Sequence, residues 1–148
     1  MIRFKNRADA GKKLATLLRK YYKNPDDVVV VGLARGGVIT AVAVAQELQV
    51  PVDGMVVRKI GAPMEEELAL GAITVHGVTA LNHALIKQLR VSEEYLATAI
   101  AAERTECAKR EELYRSHRPA LSLKDKTVIL VDDGIATGMT MEAVTSGE

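Results

Sequence analysis

Apolar and polar residues alternate along the chain in blocks that predict both strands and helices. Consecutive β-branched and aliphatic residues at 28–31 and 127–131 are typical of strands buried on both faces. The apolar segment 52–57 predicts another strand, broken by Gly54, and weaker strands are expected near 72–75 and 78–81. Apolar residues predict helices over 8–22 and 38–48, and the capping residues Asn82 and Ser92 predict further helices over 83–90 and 93–115. The outer face of the helix at 93–115 is expected to carry two ion pairs at i,i+4, Glu106–Arg110 and Glu111–Arg115.

The order of these elements predicts the fold class. Strand, helix and strand within about thirty residues form a βαβ unit, which predicts neighbouring parallel strands. We therefore expect an α/β fold with an open, mainly parallel sheet and helices on both faces. The length fits a single domain, 1–148, with an N-terminal helical region at 1–25 and an α/β core at 26–148. The Gly- and Pro-marked segment 59–71 is expected to be a mobile loop, with the first turn of a helix at 65–67.

Composition and charge restrict the classes of partner and site. Twenty basic and 19 acidic residues leave a formal net charge of +1, so neither nucleic acid nor an anionic membrane is expected as the main partner. We expect neither a secretory leader nor a membrane span. The single cysteine, Cys107, excludes an internal disulfide; we expect a reducing cytoplasm and an unreactive thiol. The histidines lack the spacing of metal ligands; they are His76, His83 and His117.

The segment 128–140 carries the most specific pattern. An apolar strand is followed by two carboxylates, Asp132 and Asp133, and then by a loop rich in Gly and Thr that opens a helix. Ligands bind at the carboxyl ends of parallel strands, and the N-terminus of a helix attracts anions. Gly134 and Gly138 are expected to adopt positive φ and to turn their N–H groups into one concavity. The predicted phosphate cradle comprises Gly134, Ile135, Ala136, Thr137, Gly138, Met139 and Thr140.

The two carboxylates predict what accompanies the phosphate. Asp132 and Asp133 are placed to accept hydrogen bonds from vicinal hydroxyls of an attached sugar. They also suit Mg²⁺, which they would hold through water because the ion keeps part of its hydration shell. The segment is not a P-loop, since no Lys follows the second glycine. The alternative is an acidic N-cap on an ordinary strand–helix turn.

The run VILVDDGIATGMT at 128–140 resembles the 5-phosphoribosyl 1-pyrophosphate (PRPP) motif of type I phosphoribosyltransferases. The resemblance, to a bacterial and archaeal branch of that family without an assigned reaction, covers most of the chain. Its other segments are Phe4-x-x-Arg7-x-x-Ala10-Gly11, Arg35-Gly36-Gly37, the run at 56–63, the run at 67–71 and Leu113-Tyr114-Arg115.

The resemblance implies a second binding segment after the first strand. This loop would bind pyrophosphate through its backbone amides, although two glycines also fit close helix–strand packing. It consists of Ala34, Arg35, Gly36 and Gly37. Arg58 and Lys59, expected at the carboxyl end of the second strand, would face the diphosphate; a solvated strand end is their alternative. The segment 60–71 would be a lid.

The implied reaction transfers the phosphoribosyl group of Mg²⁺-bound PRPP to a small nitrogen acceptor, such as a nucleobase or related amine, with release of pyrophosphate. Its catalytic residues would be Asp132, Asp133, Arg58 and Lys59, with no covalent nucleophile. A PRPP-binding regulator, or an inactive remnant without turnover, is the alternative. A Rossmann dehydrogenase is a weaker one, because the glycines at 32–37 are off-register for Gly-x-Gly-x-x-Gly.

Family members continue past the position of Glu148, so the resemblance implies that a fifth strand and part of the base-binding hood are missing. The apolar strand at 127–131 would then expose an edge, which is an association site. We therefore expect a homo-oligomer, or a truncated chain with weakened activity.

Overall fold

The computed structural model describes residues 3–22, 25–77 and 79–134. Within these ranges the helices are α1 (Arg7–Leu18), α2 (Gly36–Leu48), α3 (His83–Gln88) and α4 (Glu93–Arg115), with a 3-10 turn at Pro25–Asp27. The strands are β1 (Val28–Ala34), β2 (Val52–Ala62), β3 (Glu65–Thr74), β4 (Thr79–Leu81) and β5 (Thr127–Val131).

Helix ends follow the local capping residues. Helix α4 begins and ends at the predicted residues. Ser92 caps its N-terminus, where the hydroxyl oxygen accepts a hydrogen bond from the Tyr95 N–H at 3.1 Å. Helix α1 begins after Asn6, whose side chain accepts from the Asp9 N–H at 2.8 Å. It ends at Leu18, before the predicted end at residue 22.

The chain divides into two compact units, and the first comprises the residues up to Met55 together with Pro119–Gly134. In it, β1 pairs in parallel with β5, and the Val30 N–H donates to the Pro51 carbonyl oxygen at 2.9 Å, just before β2 begins. Helices α1 and α2 pack with these strands around an aliphatic core. Its buried members are Ala15, Val28, Val30, Ala41, Val44, Ala45, Ile129 and Val131.

The second unit comprises Val56–Arg118 among the described residues. The rest of β2 pairs antiparallel with β3, and β3 pairs antiparallel with β4. Ile60 and Leu70 are fully buried there and pack against apolar residues of β3, β4, α3 and α4. The strand order is therefore β4-β3-β2-β1-β5, a mixed sheet. The predicted α/β class is confirmed, with an antiparallel half added to the parallel pair.

The prediction for residues 59–71 is wrong. Strand β2 continues to Ala62, and 65–67 begin β3 rather than a helix. A hairpin joins them, with Ala62 paired to Glu65, so backbone pairing overrides the helical tendency of three glutamates. Gly54, expected to break the second strand, lies within β2. Within the described residues, no helix has both the length and the apolar character needed to cross a membrane.

Candidate functional site

Two strand ends define the candidate site in the first unit. The parallel register pairs Val28 with Thr127 and Gly32 with Val131, so β1 and β5 finish side by side. The turn that opens α2 therefore lies beside the two residues that follow β5. This edge is where the sequence places the phosphate and sugar ligands, and where open α/β sheets bind ligands.

Gly37 lies where a side chain would not fit. A Cβ there would lie 2.6 Å from the Val131 carbonyl oxygen and 3.0 Å from the Asp132 Cα. The close helix–strand packing considered from the sequence is thus observed at this glycine. It brings the first turn of α2 against the end of β5.

The N-terminus of α2 has no side-chain cap. Its N-cap residue is Arg35, and no cap hydrogen bond from a side chain forms there. The Ala34–Arg35 peptide is cis. The first amides of a helix carry a partial positive charge and suit an anion when no side chain caps them. This geometry fits the backbone-amide role that the sequence resemblance implies for residues 34–37.

Asp133 is held by an arginine from the start of the chain. The Arg7 Nη2 donates to the Asp133 Oδ2 at 2.8 Å, and the two side chains are 53% and 39% exposed. A Cβ on Gly36 would collide with the Asp133 carboxylate and lie 2.9 Å from the Arg7 Nε. The hydrogen bond from Arg7 lowers the pKa of the Asp133 carboxyl below its ordinary value. Asp133 is therefore an anion held against the α2 turn.

Asp132 lies one residue earlier and is half-buried. Its Oδ1 accepts a hydrogen bond from the Asp133 N–H at 2.8 Å. The described residues contain no group of three or more His, Cys, Asp or Glu side chains that could hold a metal by themselves. Two adjacent carboxylates fit Mg²⁺ all the same, because this ion is commonly held by one or two carboxylates, waters and substrate phosphates.

The predicted phosphate cradle is described only at its first residue. Gly134 is exposed and its φ lies outside the left-handed region, so the prediction of a positive φ there is wrong. A Cβ at Gly134 would meet nothing within 4 Å. The rest of the predicted cradle lies outside the described residues: Ile135, Ala136, Thr137, Gly138, Met139 and Thr140.

Arg58 and Lys59 do not lie at the end of a strand. Strand β2 continues three residues beyond Lys59, so the predicted placement is wrong. Successive side chains of a strand point to opposite faces, so the two cannot approach one ligand from the same face. The Arg58 Nε donates to the Glu103 Oε2 at 2.7 Å, an ion pair within the second unit. Lys59 is exposed.

Cys107 is buried in the second unit, with its sulfur 3.6 Å from the Val56 carbonyl oxygen. Burial raises the pKa of its thiol, so the thiolate is disfavoured. The geometry agrees with the unreactive cysteine expected from the sequence.

Sequence reasoning missed two partners of the candidate residues, Arg7 and Glu103. Arg7 belongs to the segment Phe4-x-x-Arg7-x-x-Ala10-Gly11 that carries the resemblance. It lies four residues before Gly11, so both residues are on one face of α1. That spacing predicts that Arg7 faces whatever Gly11 packs against. No sequence pattern links Arg58 to Glu103, 45 residues away.

Residues 3–147 match the family model described as the phosphoribosyl transferase domain, so the chain belongs to this family. The resemblance to type I phosphoribosyltransferases is confirmed.

Two Mycobacterium tuberculosis proteins are each 40% identical to this chain over 140 residues. They are "Putative phosphoribosyl transferase Rv0571c" of strain H37Rv and "Putative phosphoribosyl transferase MT0597" of strain CDC 1551. The matched residues are 95% of this chain and 31% of either protein, so the chain spans about a third of these relatives. The crystal structure of TT1426 from Thermus thermophilus superposes with a TM-score of 0.76 and 41% identity, covering 98% of this chain and 68% of that one.

Proposed function

We propose that this chain binds Mg²⁺ and PRPP and transfers the 5-phosphoribosyl group to a nitrogen acceptor, releasing pyrophosphate. The observation that carries the proposal is the meeting of Asp132 and Asp133 with the uncapped N-terminus of α2 at the shared end of β1 and β5. An activated sugar phosphate requires two kinds of binding group. Carboxylates accept hydrogen bonds from its sugar hydroxyls, and backbone N–H groups donate hydrogen bonds to its phosphates.

Each group has a proposed task. The ribose hydroxyls donate hydrogen bonds to the carboxylates of Asp132 and Asp133, and the amides of residues 35–37 donate to the diphosphate. The 5′-phosphate is assigned to the segment 134–140. Arg58 and Lys59 stay proposed ligands of the diphosphate. Mg²⁺, when bound, adds positive charge to the leaving diphosphate.

The step breaks the bond between C1 of the ribose and the diphosphate oxygen, and the electron pair leaves with pyrophosphate. A bond forms between the acceptor nitrogen and C1, and that nitrogen loses its proton to solvent. Positive charge develops on the ribose in between. The nearby carboxylates stabilise this positive charge. Charged groups that are already held in place lower the free energy of the transition state when opposite charge develops next to them.

The test measures pyrophosphate release from Mg²⁺–PRPP with purines, pyrimidines and small amines as acceptors. The wild type is expected to turn over with at least one of them. The double substitution D132N/D133N is expected to weaken Mg²⁺–PRPP binding at least tenfold by losing two charge-assisted contacts, with the fold retained. Unchanged affinity in this variant would show that the assigned roles are wrong.

The same measurement separates the alternatives. Tight Mg²⁺–PRPP binding without pyrophosphate release from any acceptor would favour a PRPP-binding regulator or inactive remnant. Binding of NAD(P) without PRPP binding would favour a dehydrogenase. The single domain over 1–148, the homo-oligomer and the cytoplasmic location stay predictions.

A further inference from the structure

Helices α1 and α2 lie side by side in the first unit with the same chain direction. A Cβ on Gly11 of α1 would lie 2.5 Å from the Thr40 carbonyl oxygen of α2. Further along both helices, the Arg19 Nη2 donates to the Glu47 carbonyl oxygen at 2.7 Å. The residue numbers of the contacting pairs therefore increase in the same direction along both helices, so the two helix N-termini lie at the same end.

This arrangement places Arg7, the first residue of α1, beside Gly36, the first residue of α2. The Arg7 Nε lies 2.9 Å from the position of a Cβ on Gly36, and its Nη2 holds the Asp133 carboxylate at 2.8 Å. The guanidinium thus lies against the turn and the carboxylate at once. The pair is half-exposed, so a ligand can reach it.

Charge explains why a cation is useful there. Asp132 and Asp133 are adjacent, and two carboxylates repel both each other and an approaching polyanion such as PRPP. A guanidinium carries several N–H donors in a rigid plane, so one bond to Asp133 fixes that carboxylate and leaves donors over. The sugar hydroxyls would then meet a carboxylate that is already oriented.

We propose that Arg7 is a positioning residue of the candidate site, whose guanidinium orients Asp133 and offsets its charge so that the site accepts the ribose and diphosphate of Mg²⁺–PRPP. This role rests on the proposed function. Neither the family match nor the motif at 128–140 assigns it, because Arg7 is 126 residues away from Asp133 in the sequence.

The test compares Mg²⁺–PRPP affinity, by calorimetry, in the wild type and in the variants R7M and R7K. R7M is expected to bind about tenfold more weakly, the size of one charge-assisted hydrogen bond. R7K is expected to lie between the two, since Lys keeps the charge but loses the planar fork. The matched control is R19M, which removes an equally exposed ion pair with Glu47 at the other end of the same helix, and it is expected to bind as the wild type does.

A second readout is a double-mutant cycle with D133N. The Arg7 Nη2 donates to the Asp133 Oδ2, so if Arg7 acts through this carboxylate, R7M is expected to cost less affinity in the D133N background than in the wild type. R19M is expected to leave the affinity unchanged in both backgrounds.

The outcomes are distinguishable. If the wild type binds Mg²⁺–PRPP and folded R7M binds it with the same affinity, or loses as much affinity in the D133N background as in the wild type, the positioning role alone is overturned. Failure of the wild type to bind Mg²⁺–PRPP overturns the proposed function and this role with it. Circular dichroism and thermal melting establish that each variant is folded, and R7Q replaces R7M if the latter is not.

Discussion

At the scale of single residues, Glu111 is a buried carboxylate of the second unit, and each of its two oxygens accepts a hydrogen bond. Its side chain is buried: Oε1 accepts from the Arg115 Nε at 2.6 Å, and Oε2 accepts from the Val56 N–H at 3.1 Å. The i,i+4 spacing predicts this ion pair and also the pair of Glu106 with Arg110, and both form. The sequence predicts an outer face for both, which is wrong for Glu111, because that residue satisfies a backbone donor of β2.

The substitution E111A is expected to lower the free energy of unfolding by about 2 kcal/mol, because it removes the carboxylate oxygen that accepts from the buried Val56 N–H and breaks the ion pair with Arg115. Urea unfolding measures it. The control is E106A, which removes a pair of the same spacing from the exposed side of the same helix and is expected to change stability little. Equal losses in the two variants would contradict the role given to Glu111.

At the scale of elements, the packing of α1 on α2 depends on Gly11. Its missing side chain lets the helices approach until a Cβ there would lie 2.5 Å from the Ala43 Cβ and from the Thr40 carbonyl oxygen. Glycine costs about 1 kcal/mol of helix propensity relative to alanine, so its presence in a helix interior requires such a reason. The same packing sets the position of Arg7.

The variant G11A is therefore expected to be less stable than the wild type, by about 1 kcal/mol. Overpacking costs about 1–3 kcal/mol and exceeds the propensity gain of about 1 kcal/mol, since the Thr40 backbone cannot yield as a side chain tip would. Denaturant unfolding measures the net effect. G134A is the stability control, because a Cβ at Gly134 meets nothing within 4 Å. If G11A is more stable than the wild type, helices α1 and α2 move apart to make room for the added Cβ without a loss of packing energy, and the role given to Gly11 is wrong.

At the scale of the whole molecule, strand β5 bears on association. In the described part of the chain, β5 is the last strand in the sheet order, and its hydrogen-bonded neighbour is β1. An apolar strand edge can pair with another chain. The homo-oligomer expected from the sequence is therefore still the prediction.

Light scattering tests it: we expect a mass at least twice the 16.0 kDa of one chain. The variant V128K is expected to shift the distribution towards the monomer, because a lysine on an edge strand opposes edge-to-edge pairing. A stable wild-type monomer that melts cooperatively would contradict the prediction.

The amino-acid sequence by itself determined the elements whose causes are local. The β-branched runs at 28–31 and 127–131 form β1 and β5, and Ser92 begins α4 at the predicted residue. The placement of Asp132 and Asp133 after a buried strand follows from the same local pattern. Hydrophobic periodicity and capping act over a few residues, so one segment contains all the information they need.

Only the tertiary structure decided the features that depend on distant partners. Residues 59–71 carry glutamates and glycines that locally favour a turn or a helix, yet pairing within the β2–β3 hairpin makes them strand. The buried carboxylate of Glu111 accepts a hydrogen bond from a backbone N–H of β2. Arg7 reaches Asp133 because Gly11 lets α1 pack closely against α2. Packing energy depends on which surfaces meet, and residues far apart in sequence meet only after the chain has folded.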